Sequence, residues 1–218
     1  MSEAITLYVE AFWASPWTAT VFATLREKQL DFKTSIGMIY PPVGALTALR
    51  ELTYTGTAPV LQHSGYWIAE SLAIVEYLED VFPSPSVLPD DARDRGRARQ
   101  LMSWFRTGMD AFRRERPTEH IFYPPKAPPA PLSARAQASA DAIVDVAARL
   151  GADHRGALFG AFGVVDVDLA FALMRMIASG LAVPDPIAAY ARAVWARPSV
   201  RDFVEHPRPP NAPQMIAN

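Results

Sequence analysis

The chain has 218 residues, half of them hydrophobic and including 11 Phe and 5 Trp, with a formal net charge of −2. That is enough apolar material for one large domain or two small ones and excludes a largely disordered chain; the charge excludes a general nucleic-acid binder, which carries a basic excess. The absence of cysteine excludes disulfides, thiolate metal sites and every mechanism that needs a protein thiol.

The opening stretch "ITLYV", Ile5 to Val9, is short, β-branched and bounded by polar residues, so it reads as a strand. No basic region followed by an apolar run precedes it, so no signal peptide is expected. From Pro16 to Lys28, the residues Ala19, Phe22, Ala23 and Leu25 fall near one helical face. "LDFKTSI" reads as a second strand. Residues Met38 to Thr57 are ambiguous: Pro41-Pro42 break any helix before "GALTALREL" offers a short one. "APVLQHSGYWIAES" reads as a hairpin turning at Ser64-Gly65, and "ESLAIVEYLEDVF" as a helix with Leu72, Val75, Leu78 and Phe82 on one stripe. The order is β-α-β-α-β-β-α.

"PSPSVLPDD" breaks this pattern as a proline-rich linker, and everything beyond reads as helix. Leu101, Trp104, Phe105, Gly108, Met109 and Phe112 step along one long helix, and "YPPKAPPAPL" is a proline-rich loop. Ser133 opens a helix that carries Ala140, Ile143, Ala147 and Leu150 inward. "VDVDLAFALMRMIA" is apolar nearly all round, which predicts a helix at the centre of its domain. "PIAAYARAVW" and "PSVRDFV" are closing helices begun by proline, and the end of the chain reads as a loose tail. The expected division is a small α/β domain over 1–82, a linker over 83–91, an all-helical domain over 92–206 and a tail over 207–218.

Several residues carry possible chemistry. Ser15 before Pro16 is a favoured helix cap, but a hydroxyl at a helix N-terminus also stabilises an anion such as a thiolate. Pro59 is either an edge-strand proline or follows a cis Ala58–Pro59 bond that turns the main chain of Ala58 towards a ligand. Glu70-Ser71 either starts a helix or holds an amino-acid head group, the serine on its carboxylate and the glutamate on its ammonium. Asp166, three residues after Gly163, resembles half of a capping box. Arg99, Arg106 and Arg113 recur every seven residues on one side of the predicted long helix, as surface residues or as a wall for an anionic substrate. The histidines, His63, His120, His154 and His206, form no ligand-spaced pair, so no metal is expected.

Ser15-Pro16, "APVL", "ESLAIVEYLEDVFP", the linker, "VDVDLAFA" and the closing "RPSV", taken in order and spacing, resemble the cytosolic glutathione S-transferases over nearly the whole chain. "RARQLMSWFR" and "RRERPTEHIF" look like the bacterial YfcF-type subgroup in particular. The resemblance implies an α/β thioredoxin-like N-terminal domain, an all-α C-terminal domain, a homodimer and a cytoplasmic enzyme without metal, nucleic-acid or membrane partners. Glutathione would be the co-substrate, its thiol activated for attack on a small-molecule electrophile or for reduction of an organic hydroperoxide. Alternatives are a glutathione-dependent isomerase and a non-catalytic binding module. Ser15 would hydrogen-bond the sulfur, with Tyr8 as a rival; Ala58, before Pro59, would pair with the cysteinyl backbone, and Glu70 and Ser71 would hold the γ-glutamyl end. A second-substrate pocket is expected from Phe12, Trp13, Trp104 and Phe112. Gly56-Thr57 stands where many relatives have a basic residue, for which Arg50 or Lys33 would compensate. Gly163 replaces the usual Ser or Thr. The absence of cysteine disfavours the thiol-transferase and dehydroascorbate-reductase branches.

Overall fold

The computed structural model describes residues 4–36 and 50–210. Pro41-Pro42 and most of the expected "GALTALREL" helix lie outside the described residues, as does the tail beyond residue 210; residues 50–53 are helical. Compactness divides the described residues into two units, one of those up to Val87 together with Ser199–Pro209, the other of Leu88–Pro198.

The first unit is built on a four-stranded mixed sheet in the order β2-β1-β3-β4. Strand β1 (Ile5–Val9) runs parallel to β2 (Phe32–Ile36) and antiparallel to β3 (Val60–His63), which forms a hairpin with β4 (Tyr66–Ala69). The parallel β1–β2 pair requires a crossover, supplied by helix α1 (Pro16–Glu27). Alternation along β1 buries Ile5, Leu7 and Val9 on one face, while Thr6 and Tyr8 are half-buried on the other. Helix α2 (Ser71–Val81) packs on α1. Its buried stripe is Ile74, Val75 and Leu78, extended at either end by Ser71 and Glu79 rather than by Leu72 and Phe82. Phe82 ends the helix with extended backbone, which turns it off the stripe.

Helix α1 is buried on nearly all sides from Thr18 to Leu25, not on one face. The cause is the last helix. Phe203 packs its ring on those of Trp13 and Phe22, Ser199 Oγ donates to Glu27, and Arg26 pairs with Asp202 at 3.5 Å. The end of the unit is fixed by a buried ion pair. Lys28 Nζ lies 2.5 Å from Glu79 and donates to the carbonyls of Phe82 (2.6 Å) and Pro85 (3.0 Å). Glu79 in turn accepts from Ser86 Oγ and Val87 N, both at 2.9 Å. Part of the proline-rich linker is thereby pinned to the first unit.

The second unit is all helical among its described residues: α3 (Ala92–Thr107), α4 (Asp110–Glu115), α5 (Glu119–Phe122), α6 (Ala134–Arg149), α7 (Val164–Ala178) and α8 (Asp185–Trp195). Helix α7 is buried along most of its length and packs on α3, α5, α6 and α8, as its all-round apolar pattern predicts. The expected single long helix through Phe112 is instead broken after Thr107. A side chain at Gly108 would collide with the Trp104 indole, 2.4 Å from where its Cβ would stand, and the chain restarts as α4 two residues later. The final helix α9 (Pro198–Val204) goes with the first unit from Ser199 onwards, whereas the sequence reading placed it in the helical domain. The α/β-plus-all-α class expected from the sequence is the architecture observed.

Candidate functional site

Strand register gathers the sequence-predicted residues at one end of the sheet. Tyr8 is opposite Val60, and Val60 opposite Ala69. The end of β1, the Ala58–Pro59 bond before β3 and Glu70-Ser71 after β4 are therefore neighbours. The peptide bond preceding Pro59 is cis, and the hydroxyl of Thr57 donates to Glu70 Oε1 at 2.6 Å across this end.

Ser15 follows from the loop after β1. Its backbone is extended (φ −70°, ψ 120°), Pro16 takes the first helical turn, and its Oγ accepts from Thr18 N at 3.3 Å. This is the capping geometry expected of Ser-Pro. Since the oxygen accepts from the helix, its O–H is the group left to donate. Half-buried at the positive end of a twelve-residue helix, it is suited to hold an anion rather than to remove a proton.

Glu10 was not singled out from the sequence, yet it organises this loop. Its carboxylate accepts from Ala14 N, from Ser15 N (2.8 Å) and from Thr18 Oγ1 (3.1 Å). Burial pushes the carboxyl up from its usual range, opposed by the Ser15, Ala14 and Thr18 hydrogen bonds. Only an acid just after a strand end hinted at the role. Glu10→Ala, which strands three donors, is expected to cost roughly 2–4 kcal/mol in urea unfolding. Glu10→Gln keeps an acceptor for Ala14 and Ser15 and should recover most of that loss.

Trp13, at φ 49°, is held from below by the chain's last segment. Its indole is 1% exposed and stacks on the His206 ring at 3.6 Å between centroids. Arg208 donates from Nη2 (2.8 Å) and Nε (3.2 Å) to the Trp13 carbonyl, and from its other donors to the carbonyls of Phe203, Val204 and His206. A residue read as part of a loose tail thus clamps the loop two residues ahead of Ser15.

Glu70 adopts φ 68°, uncommon for a residue with a side chain, at the N-cap of α2. Positive φ in a bulky residue is retained where surroundings over-determine it and is concentrated at functional positions. Glu70 is exposed and Ser71 buried. A cleft of about 350 Å³ borders Glu70, with Leu52, Thr53, Tyr54 and Trp67 in its walls. Gly56 also has positive φ (68°), a conformation that favours glycine over the basic residue common there. Arg50 and Lys33 are exposed. Tyr8 stacks on Trp67 at 5.2 Å. Of the residues expected to line a second pocket, Phe12 and Trp104 are half-buried; Phe112, like Trp13, is fully buried. Among the described residues no cluster of metal-binding side chains occurs, and no helix is long and apolar enough to cross a membrane.

Comparisons with known proteins point the same way. The family model for the glutathione S-transferase C-terminal domain matches residues 91–207, and that for the N-terminal domain matches 14–81. A solved glutathione transferase homolog from Burkholderia gl BGR1, with bound glutathione, is 32% identical, with 92% of this chain and 96% of that one covered at a TM-score of 0.72. A glutathione S-transferase structure from Rhodospirillum rubrum F11 is 27% identical, covering 97% and 96%, with a TM-score of 0.70. A probable glutathione S-transferase of Nicotiana tabacum is 35% identical over 40% of this chain and 39% of its own length. A probable maleylacetoacetate isomerase 1 of Drosophila melanogaster is 26% identical over 51% and 46%. The matches to these two curated relatives thus span less than half of their length.

Proposed function

The chain belongs to the glutathione S-transferase family, and we propose that it binds glutathione at the gathered end of the first unit's sheet and ionises its thiol for attack on an electrophile. The observation that supports this reading is that the Ala58–Pro59 bond and Glu70-Ser71 are neighbours at the end of β1, the end from which the Ser15 loop departs. The Ser15 O–H donates to the sulfur and, with the N-terminus of α1, favours the thiolate. The main chain of Ala58 pairs with the cysteinyl backbone. Glu70 receives the γ-glutamyl ammonium, and Ser71 holds the adjoining carboxylate.

In conjugation the sulfur forms a bond to an electrophilic carbon and the leaving group departs with its electron pair. In the peroxidase variant of the reading, two glutathione thiols are oxidised to the disulfide while a hydroperoxide is reduced to alcohol and water. Isomerisation is a second reading, favoured by the isomerase named among the relatives. It uses the same first unit and differs in the second substrate. We further propose a homodimer, a cytoplasmic setting and membership of the YfcF-type subgroup, the last supported by the sequence around Trp104 and His120.

Glutathione is expected to bind the wild-type chain in calorimetry and to develop thiolate absorbance on binding. A folded chain that takes up no glutathione defeats the enzyme reading and leaves a binding module of this fold.

A further inference from the structure

The peptide unit that joins Trp13 to Ala14 is held at both ends, by a guanidinium and by a carboxylate. Its carbonyl accepts from Arg208 Nη2 at 2.8 Å and Nε at 3.2 Å, and its N–H, that of Ala14, donates to Glu10 Oε1. A cation thus meets the oxygen and an acid meets the amide, each in the sense that strengthens a hydrogen bond. The same Glu10 oxygen accepts from Ser15 N at 2.8 Å. The grip therefore passes on to the residue whose hydroxyl is read as the partner of the sulfur.

Trp13 needs such holding. Its φ of 49° is disfavoured for a residue with a side chain and persists only where contacts over-determine it. The indole N–H makes no hydrogen bond, so packing alone keeps the ring, on His206 at 3.6 Å between centroids and on Phe203 at 5.4 Å. Arg208 is itself fixed by the end of α9. Its Nη1 donates to the carbonyls of Val204 (2.7 Å) and His206 (2.8 Å), and its Nη2 also to that of Phe203 (3.1 Å). Carbonyls at a helix C-terminus lack partners within the helix and attract a cation. A planar guanidinium reaches the helix end and the loop at once; an ammonium, a single point of charge on a flexible stem, lacks that fork.

We propose that Arg208 is a positioning residue for the bound thiol: by fixing the Trp13–Ala14 peptide it sets where the Ser15 hydroxyl stands, and with it how far the thiol ionises. This rests on the reading of Ser15 as the sulfur's partner. Arg208 acts through the loop and not on the sulfur itself.

The thiolate absorbance of bound glutathione, followed against pH in the full-length chain, tests this. Arg208→Met, which keeps an unbranched stem and removes the fork, is expected to titrate about 1 unit above the wild type. With the wild type about 2 units below 8.5, that is a loss of about threefold in thiolate at pH 7, and conjugation should fall in proportion. Near about pH 5.5, where the bound thiol is protonated in either protein, the two should bind glutathione equally. A double-mutant cycle separates positioning from the field of the charge: in a Ser15→Ala background, Arg208→Met should shift the titration no further. An unchanged titration in Arg208→Met, where Ser15→Ala does shift it, overturns the positioning role alone. So does a shift of full size in the Ser15→Ala background, which assigns the effect to the charge. If Ser15→Ala leaves the titration where it is, or the chain takes up no glutathione, the reading of Ser15 fails and this proposal falls with it. Should Arg208→Met not fold, Arg208→Lys keeps the charge and lacks the fork; a wild-type titration there counts against the assignment.

Discussion

Ser15→Ala is expected to lower the conjugation rate at pH 7 by about 25-fold while leaving glutathione affinity nearly unchanged. A free thiol with a pKa near 8.5 is about 3% ionised at pH 7, whereas one lowered by about 2 units is about three-quarters ionised. The ratio of the two fractions is the expected effect. It corresponds to roughly 2–3 kcal/mol at the sulfur, which a charge-assisted hydrogen bond and a helix terminus together can supply. The thiolate absorbance of bound glutathione, followed against pH, should titrate near 8.5 in the variant and about 2 units lower in the wild type. Rates for the two proteins should then converge above about pH 9.5, where either thiol is ionised. The variant also loses a helix cap, at a cost of about 1 kcal/mol, but Glu10 still serves the Ala14 and Ser15 N–H groups, so the fold should survive. Unchanged turnover in Ser15→Ala would move attention to Tyr8, and Tyr8→Phe would be measured next.

Asp166→Ala should be the most damaging single change in the helical unit, at about 3–5 kcal/mol of unfolding free energy. The carboxylate is fully buried at the start of α7 and accepts from Leu158 N (2.9 Å), Gly163 N (2.8 Å) and Tyr190 Oη (2.5 Å). Removing it strands all three donors where water does not reach. Gly163 has no side chain to complete a reciprocal cap, so the N-terminus of α7 depends on the acid alone. Burial raises the Asp166 carboxyl above its usual range, opposed by the hydrogen bonds from Tyr190, Gly163 and Leu158 and by Arg197; burial and Asp166 together keep the Tyr190 phenol protonated. A carboxyl whose pKa is higher folded than unfolded contributes stability below its unfolded value, near 4, and this is lost as pH rises through the raised folded value. The wild type should therefore show a decline in stability over that acidic window that Asp166→Ala lacks. Urea unfolding of both proteins at several pH values measures each effect.

What the sequence disclosed follows the range of the interactions involved. Strands, helices and caps depend on neighbours a few residues away, so β1, α1, the hairpin, the Ser15 cap and the apolar run of α7 were legible. The cis bond before Pro59 was suggested by family resemblance, and the nearness of Pro59 and Glu70 at the end of β1 came from sheet register, not from local pattern. Features set by distant residues were not legible. Beyond its place just after a strand end, nothing near Glu10 signals that it will hold the loop four to eight residues later, and nothing near Arg208 names Trp13 as its target. The resemblance made Trp13, in a loop, and Phe112, on a helix, candidates for a pocket, yet neither a loop position nor helical periodicity tells that both rings are buried. The break at Gly108 likewise depends on where the Trp104 indole packs, a choice that helix propensity does not register.

The first unit is assembled from two stretches of chain that are separated by more than a hundred residues of the other unit. During synthesis, the strands and α1 can leave the ribosome and pair early, but the Arg208 clamp and the Phe203 and His206 rings emerge only after the helical unit. The loop that carries Ser15 is therefore finished only after the whole helical unit has been made. A product cut short after α8 would hold every residue of the proposed glutathione site and lack the parts that fix Trp13 in place. Synthesis of the helical unit and of α9 thus becomes a condition for fixing the Ser15 loop.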